Sequence, residues 1–286
     1  MPIKESDGRL FGPGVFDMKA GLAIGLLAMR AIGEVVDPSV RPRVSFLITS
    51  DEEVGSAASR AAIERLARES AAVLVLEPSL SGGAVKTARK GVGEYEIVAR
   101  GISAHAGVEP EKGASAIFEL ARQITAIEGL NDAARGRSVN VGVVEGGTRP
   151  NVIAETARAR VDVRISHLAD AAVVREALGG LRSSNPRVTL EVSGGINRPP
   201  MERAPGVVRL YELARGVARA MGDELAEGAT GGGSDGNFAA ALGVPTLDGL
   251  GAVGEGAHAL HEHVTLNELP RRAALVGGLV ARLNVG

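Results

Sequence analysis

Cysteine is absent from the 286 residues, which removes disulfides, zinc–thiolate centres and a cysteine nucleophile together. Tryptophan is absent too, and five Phe with two Tyr bring the aromatic share to only 2%, so stacking platforms for bases or sugars are scarce. Neither charge is in excess: 32 Lys+Arg stand against 34 Asp+Glu, a formal net charge of −2. That balance speaks against electrostatic nucleic-acid binding. Long apolar runs are missing as well. The most apolar stretch, Ala20 to Met29, is about half a bilayer span and ends at Arg30. The opening Met1-Pro-Ile-Lys-Glu-Ser-Asp-Gly-Arg has no apolar segment of the signal-peptide kind. These absences predict a soluble, cytoplasmic chain with neither nucleic-acid nor membrane partners.

What is present suits a folded chain, with 45% hydrophobic and 23% charged residues and a length suited to one large or two smaller domains. Met18, Leu22, Gly25, Leu26, Met29 and Ile32 recur at helical spacing. Val44 to Thr49 is β-prone and Ser56 to Glu69 reads as a helix. The continuous apolar run Val73-Leu-Val-Leu reads as a strand buried on both faces of a parallel sheet. This alternation predicts an α/β architecture.

The pattern then changes. Strands are expected at Tyr95–Arg100 and Val139–Val144, with a helix between them at Ala114–Ile127. From Ala157 to Ile165, apolar residues alternate with Arg158, Arg160, Asp162 and Arg164, the period of a strand with one wet face. A helix at Asp170–Leu181 and a strand through Val188, Leu190 and Val192 complete a βαββαβ, ferredoxin-like order. After Gly194-Gly195 and Pro199-Pro200 come helices at Val207–Met221 and Leu269–Leu283 around a glycine-rich loop. The expected plan is a discontinuous α/β domain (1–91 and 197–286) interrupted by an inserted ferredoxin-like domain (92–196).

Acidic groups and histidines gather where α/β sheets place ligands, past the carboxyl ends of strands. Asp17 precedes a helix, Asp51-Glu52-Glu53 follows the Val44–Thr49 run, Glu77 ends the Val73–Leu76 run, and His258, His261 and His263 cluster near the C-terminus. Taken singly, Asp17 reads equally well as a helix N-cap, and the acidic triplet and histidines as solvated loops. Glu77 is harder to dismiss, since a buried charge needs a partner. Taken together, carboxylates with a neutral imidazole suit Zn, Mn or Co at a hydrolytic centre. In an extended backbone Glu52 and Glu53 would point opposite ways, one toward the metal and one toward the attacking water.

Gly12-Pro-Gly-Val-Phe-Asp17-Met-Lys-Ala-Gly, Ser50-Asp-Glu52-Glu53-Val-Gly-Ser, Leu76-Glu77-Pro, Ser103-Ala-His105-Ala-Gly and Gly256-Ala-His258 occur in that order. The set resembles the dinuclear-metal aminoacylase and carboxypeptidase family that includes acetylornithine deacetylase, succinyl-diaminopimelate desuccinylase and glutamate carboxypeptidase. The resemblance implies a metallopeptidase α/β domain with a ferredoxin-like lid that often dimerises. It implies that Asp17 bridges two metals, that Glu53 and His258 complete one site, and that Glu77 belongs to the other. Glu52 matches the general base. His105 matches the oxyanion-stabilising histidine, frequently supplied to the partner subunit. Asn151, Arg198 and the Gly231–Asp235 loop, with Gly232 and Ser234, fall where the family contacts substrate. The ions implied are Zn2+, with Co2+ or Mn2+ as alternatives. The substrate implied is an N-acyl amino acid or small peptide with a free carboxylate. Ala84-Val-Lys-Thr-Ala-Arg-Lys-Gly-Val-Gly-Glu is most similar to the glutamate carboxypeptidase branch.

Two other readings compete. Gly232-Gly-Ser234-Asp-Gly236 fits the G-x-S-x-G elbow of a serine hydrolase, with Asp248 and His258 following in order. That elbow needs a strand just before the serine, and Asp223–Gly233 is polar and glycine-rich. Gly231, Gly233 and Gly236 fit a dinucleotide-binding pattern and fail for the same reason. The second competitor is a remnant that only binds or dimerises. The family carries a His-x-Asp motif upstream of Gly12-Pro-Gly, and none of the five histidines here is followed two positions later by Asp. The expectation is therefore a chain resembling a family member that starts partway through its catalytic domain, with an open sheet edge. It would hold one ion well through Asp17, Glu53 and His258, with low or absent activity. Asp17 and Glu77 alone would hold a second ion poorly unless His261 or His263 moves in.

Overall fold

The computed structural model describes residues 2–283. In chain order the elements are β1 (Lys4–Ser6), β2 (Arg9–Phe11), α1 (Ala20–Val35), α2 (Arg60–Arg68), β3 (Val73–Leu74), β4 (Val85–Arg89), β5 (Gly91–Arg100), α3 (Ala116–Glu128), β6 (Ser138–Gly146) and β7 (Thr156–Ile165). They continue with α4 (Ala169–Gly179), β8 (Thr189–Arg198), α5 (Pro205–Ala220), β9 (Glu227–Thr230), α6 (Gly236–Ala241), β10 (Thr246–Leu247), β11 (Gly254–Glu255), β12 (His263–Thr265) and α7 (Glu268–Arg282). The chain divides into two compact units. The first comprises Met1–Arg89, Met201–Thr230 and Ser234–Gly286; the second comprises Lys90–Pro200 with Gly231–Gly233.

The second unit is a βαββαβ arrangement whose four antiparallel strands lie in the order β6-β7-β5-β8. The alternation read at 157–165 sets its register. Ala157, Ala159, Val161, Val163 and Ile165 are buried and β7 pairs with β5 along its whole length, from Thr156↔Arg100 to Ile165↔Gly91. A shift of one residue would send every one of these side chains to the wet face. Their core is completed from α3 and α4 by residues such as Leu120, Ile127 and Leu178.

In the first unit, α1, α5 and α7 bury Ile24, Ala28, Leu210, Ala214, Val276 and Leu279 in one core. Its strands form three small sheets: β1-β2-β12-β11, the parallel pair β10-β3 and the parallel pair β4-β9. The β1-β2 hairpin turns on Asp7-Gly8, both at positive φ (52° and 70°), the backbone that a two-residue Asp-Gly hairpin turn requires.

Two expectations are corrected here. Val44–Thr49 joins no sheet, and Val44 and Ile48 stay exposed. Its side chains line a cavity of about 700 Å³ with Met18, Leu22 and Met29 of the α1 region. β propensity describes a surface that fits a sheet but supplies no neighbour. The Val73–Leu76 run forms only a two-residue strand, paired on one side to β10, and Val73 and Leu74 are half-buried. Among the described residues no helix is long and apolar enough to cross a membrane.

The core assignment sets a graded expectation for stability. Leu279 is fully buried and Val35 is 80% exposed. Leu279→Ala is expected to cost about 2–5 kcal/mol, and Val35→Ala to stay within about 0.5 kcal/mol. Chemical denaturation measures both, and equal costs would contradict the assignment.

Candidate metal centre

Asp17 is placed by a break in a helix. A short turn over Val15–Lys19 leads into α1, and at Asp17 the backbone leaves helical geometry (φ −115°, ψ 96°). The residue that fixes this segment was missed by the motif reading: Glu262, between His261 and His263. Its buried carboxylate accepts the N–H groups of Gly14 (2.6 Å), Phe16 (2.9 Å) and Asp17 (2.9 Å). Burial raises the pKa of Glu262, but these donors more than reverse that, leaving it below the ordinary value.

Glu52 and Glu53 lie on a single turn of 3-10 helix, Glu52–Val54. The expected extended backbone is therefore not what separates them; the turn does, with Glu53 exposed and Glu52 half-buried. Asp51 belongs to the scaffold: its carboxylate accepts from Ala58 N (2.8 Å) and Ser59 N (3.1 Å) ahead of α2.

His258 sits at φ 61°, a left-handed backbone that a non-glycine residue adopts at a cost of about 1–3 kcal/mol. Its Nε2 lies 3.3 Å from Asp17 Oδ2 and 3.9 Å from Glu53 Oε1. One ligand atom from each of the three residues falls within 4.8 Å of the others. Tetrahedral zinc with bonds of about 2 Å sets its ligands roughly 3.3 Å apart. The Asp17–His258 pair already has that spacing, and a Glu53 ligand atom lies within 4.8 Å of both. Two carboxylates and one imidazole, open to solvent on one side, fit a catalytic divalent-cation site. Among the described residues no other three such side chains converge in this way.

Glu77 stands beside this group. Its backbone is gripped from two sides by glycines. A Cβ on Gly21 of α1 would lie 2.1 Å from the Leu76 carbonyl, and one on Gly251 would lie 2.6 Å from that of Glu77. Gly251 N–H also donates to Glu77 O (2.9 Å). The side chain faces Arg89, whose Nη2 is 4.0 Å from Glu77 Oε2. Arg89 is committed to Asp248 through a buried bidentate pair, Nε–Oδ2 2.7 Å and Nη2–Oδ1 2.9 Å. Burial, then the charges of Asp248 and Asp17, push the Glu77 carboxyl up to about 8 against a partial opposing effect of Arg89. His263 does not join the site: it is buried in β12, its ring 5.0 Å from that of Phe11, with Nδ1 3.0 Å from the His261 carbonyl.

Ser234 serves a different purpose from the substrate contact expected of it. It is fully buried and its hydroxyl donates to Asp248 Oδ2 (2.6 Å). The serine-hydrolase reading fails with it, because the Asp248 carboxylate, not an imidazole, receives that hydroxyl and no substrate can reach it. Gly232 is exposed, in the loop that belongs to the second unit. In that unit His105 and Asn151 come together: Ala106 N–H donates to Asn151 O (3.0 Å), and both side chains lie on the surface. Gly107 N–H donates to His105 Nδ1 (3.2 Å), which leaves the neutral ring carrying its proton on Nε2. Arg198, at the end of β8, is buried beneath Gly233.

The raised Glu77 pKa has a consequence for stability. Without metal, the folded chain keeps this proton up to about pH 8, whereas the unfolded chain releases it near 4.5. Stability of the chelator-treated protein should therefore fall as pH rises from about 4.5 through 8. Glu77→Gln is expected to leave the thermal midpoint nearly unchanged at pH 5 and to raise it above that of the parent at pH 8.5. A pH-independent difference would contradict the assignment.

Comparison with known proteins places this geometry in a family. Carboxypeptidase G2 of Pseudomonas sp. (strain RS-16) is 28% identical over all of this chain and 70% of its own length. Succinyl-diaminopimelate desuccinylase of Phenylobacterium zucineum (strain HLK1) is 32% identical over 96% of this chain and 75% of its own. The crystal structure of aminopeptidase PepT from Bacillus cereus ATCC 10987 superposes with a TM-score of 0.79 at 27% identity, covering 99% of this chain and 76% of that one. The model of peptidase family M20/M25/M40 matches residues 2–282, and the chain belongs to that family of metal-dependent hydrolases.

Proposed function

We propose that the chain hydrolyses the amide bond of an N-acyl amino acid or small peptide bearing a free carboxylate, with a glutamate-like residue released. The observation that carries this reading is the convergence of Asp17, Glu53 and His258 beside Glu52. These three residues would hold a divalent ion, Zn2+ in the first instance, with Co2+ or Mn2+ as alternatives. The ion supplies Lewis acidity and lowers the pKa of a water molecule toward neutrality.

The chain's own residues carry the proton chemistry. Glu52 is held on the same turn as Glu53 and lies outside the three-residue cluster; we assign it the role of base. It takes a proton from the attacking water as the C–O bond forms and returns it to the amide nitrogen as the C–N bond breaks. From the resemblance, His105 is proposed as an oxyanion donor and Asn151, beside it on the second unit, as a substrate contact. Glu77, with Asp17, would contribute to a second ion. Two protein ligands hold an ion less well than three, so one tightly held ion per chain is proposed. Arg198, buried beside Gly233 at the end of β8, is proposed to hold the substrate carboxylate through its planar guanidinium. Gly232, exposed in the neighbouring loop, is a further proposed substrate contact. A lid and dimerisation role for the βαββαβ unit, and a cytoplasmic site of action, belong to the same proposal.

Glu52→Gln is expected to keep metal content near that of the parent while turnover of an N-acyl amino acid panel falls roughly 10²–10⁴-fold. Full turnover in this variant would refute the base assignment. Stripping the ion with a chelator should abolish turnover, and restoring it should recover activity. On a sizing column with light scattering, the chain should elute at twice its own mass; a monomer at micromolar concentration would contradict the dimer.

A further inference from the structure

The turn that the sequence offered as a serine elbow does something the proposed chemistry has not used. Asp235 reaches two hydroxyls on either side of the Glu52-Glu53 turn. Thr49 Oγ1 donates to its Oδ2 (3.1 Å) and Ser56 Oγ donates to its Oδ1. Thr49 and Ser56 bracket the segment that carries the base and one metal ligand.

The other end of this clamp is anchored in the core. Ser234 donates to Asp248 Oδ2 (2.6 Å) and accepts from Gly236 N–H (3.1 Å). Asn237 Oδ1 accepts from Ser234 N–H (3.0 Å). Ser234, Asn237 and Asp248 are all fully buried, and Asp248 is bound to Arg89. A loop carrying two carboxylates near Asp17 and Glu77 has reason to move outward, since like charges repel. A carboxylate fixed to the core and bonded to both ends of the loop opposes that movement.

We propose that Asp235 is a positioning residue that sets the placement of Glu52 and Glu53, the Ser234–Asn237 turn being its anchor; this rests on the metallohydrolase reading above. Residues that orient metal ligands in this way typically change metal affinity or activity 10–100-fold when replaced, and displacing a reacting group by about 1 Å costs on the order of 10²-fold.

The test uses Thr49→Val, which keeps the shape and removes the hydroxyl, against Thr49→Ser, which keeps the hydroxyl and loses a methyl. Asp235→Asn serves as a second probe. Zn2+ affinity of the stripped protein is measured by calorimetry alongside kcat and KM, with the thermal midpoint recorded. Thr49→Val and Asp235→Asn are expected to weaken Zn2+ binding about tenfold and lower kcat about 10–100-fold with KM little changed, while Thr49→Ser keeps parental values. If Thr49→Val matches the parent, or if Thr49→Ser is impaired as much, the positioning role is overturned. Should Asp235→Asn fail to fold, the Val/Ser pair still decides. A parent protein that binds no Zn2+ refutes the metallohydrolase reading itself, whereas a binding parent with unaffected variants refutes only the clamp.

Discussion

Mutual repulsion among carboxylates is the constraint under which this site is built. Asp17, Glu52, Glu53 and Glu77 all line one cavity, where reduced solvent screening strengthens their interaction. Each carrying segment is held by contacts from elsewhere in the first unit. Glu262 gathers three backbone N–H groups around Asp17. Asp235 takes two hydroxyls at the ends of the Glu52-Glu53 loop. Glycines grip the Glu77 backbone, and Arg89, itself neutralised by Asp248, faces its side chain. The scaffold is thus more acidic than a stability argument alone would select, and its carboxylates are satisfied by N–H, O–H and guanidinium donors.

The same constraint explains why the Glu77 carboxyl is raised so far. Glu77 lies at the inner end, with Asp248 and Asp17 for neighbours and a guanidinium whose charge is already matched. A cation brought against Asp17 and Glu77 would relieve that crowding, whereas without it the proton stays.

How much of this was legible in the sequence depended on the kind of signal. In the second unit the order of elements was readable, because period-two burial in β7 is a property of the chain itself, although β5 begins four residues before the expected Tyr95. The convergence of Asp17, Glu53 and His258 was expected from a resemblance carried by short motifs in a fixed order, since each residue taken singly also read as a cap or a solvated loop. Val44–Thr49 failed as a strand because pairing requires a neighbour that propensity does not report. The Asp7-Gly8 hairpin carried a plain turn signal that apolar periodicity passes over. Glu262, Asp235 and Asp248 were invisible as scaffolding, since nothing local distinguishes an acid that binds backbone from one that binds an ion. Ser234 is the sharpest lesson: a motif that fits a nucleophile describes a buried anchor once its surroundings are known.

The central claim is that Asp17, Glu53 and His258 form one cation site. Cobalt titration of the stripped protein, followed through the visible d–d bands of Co2+, tests it most directly. The account predicts bands that saturate at one equivalent per chain and that His258→Ala reduces to those of aqueous cobalt. Identical bands and stoichiometry in the parent and in His258→Ala, or no bands in the parent, would contradict it.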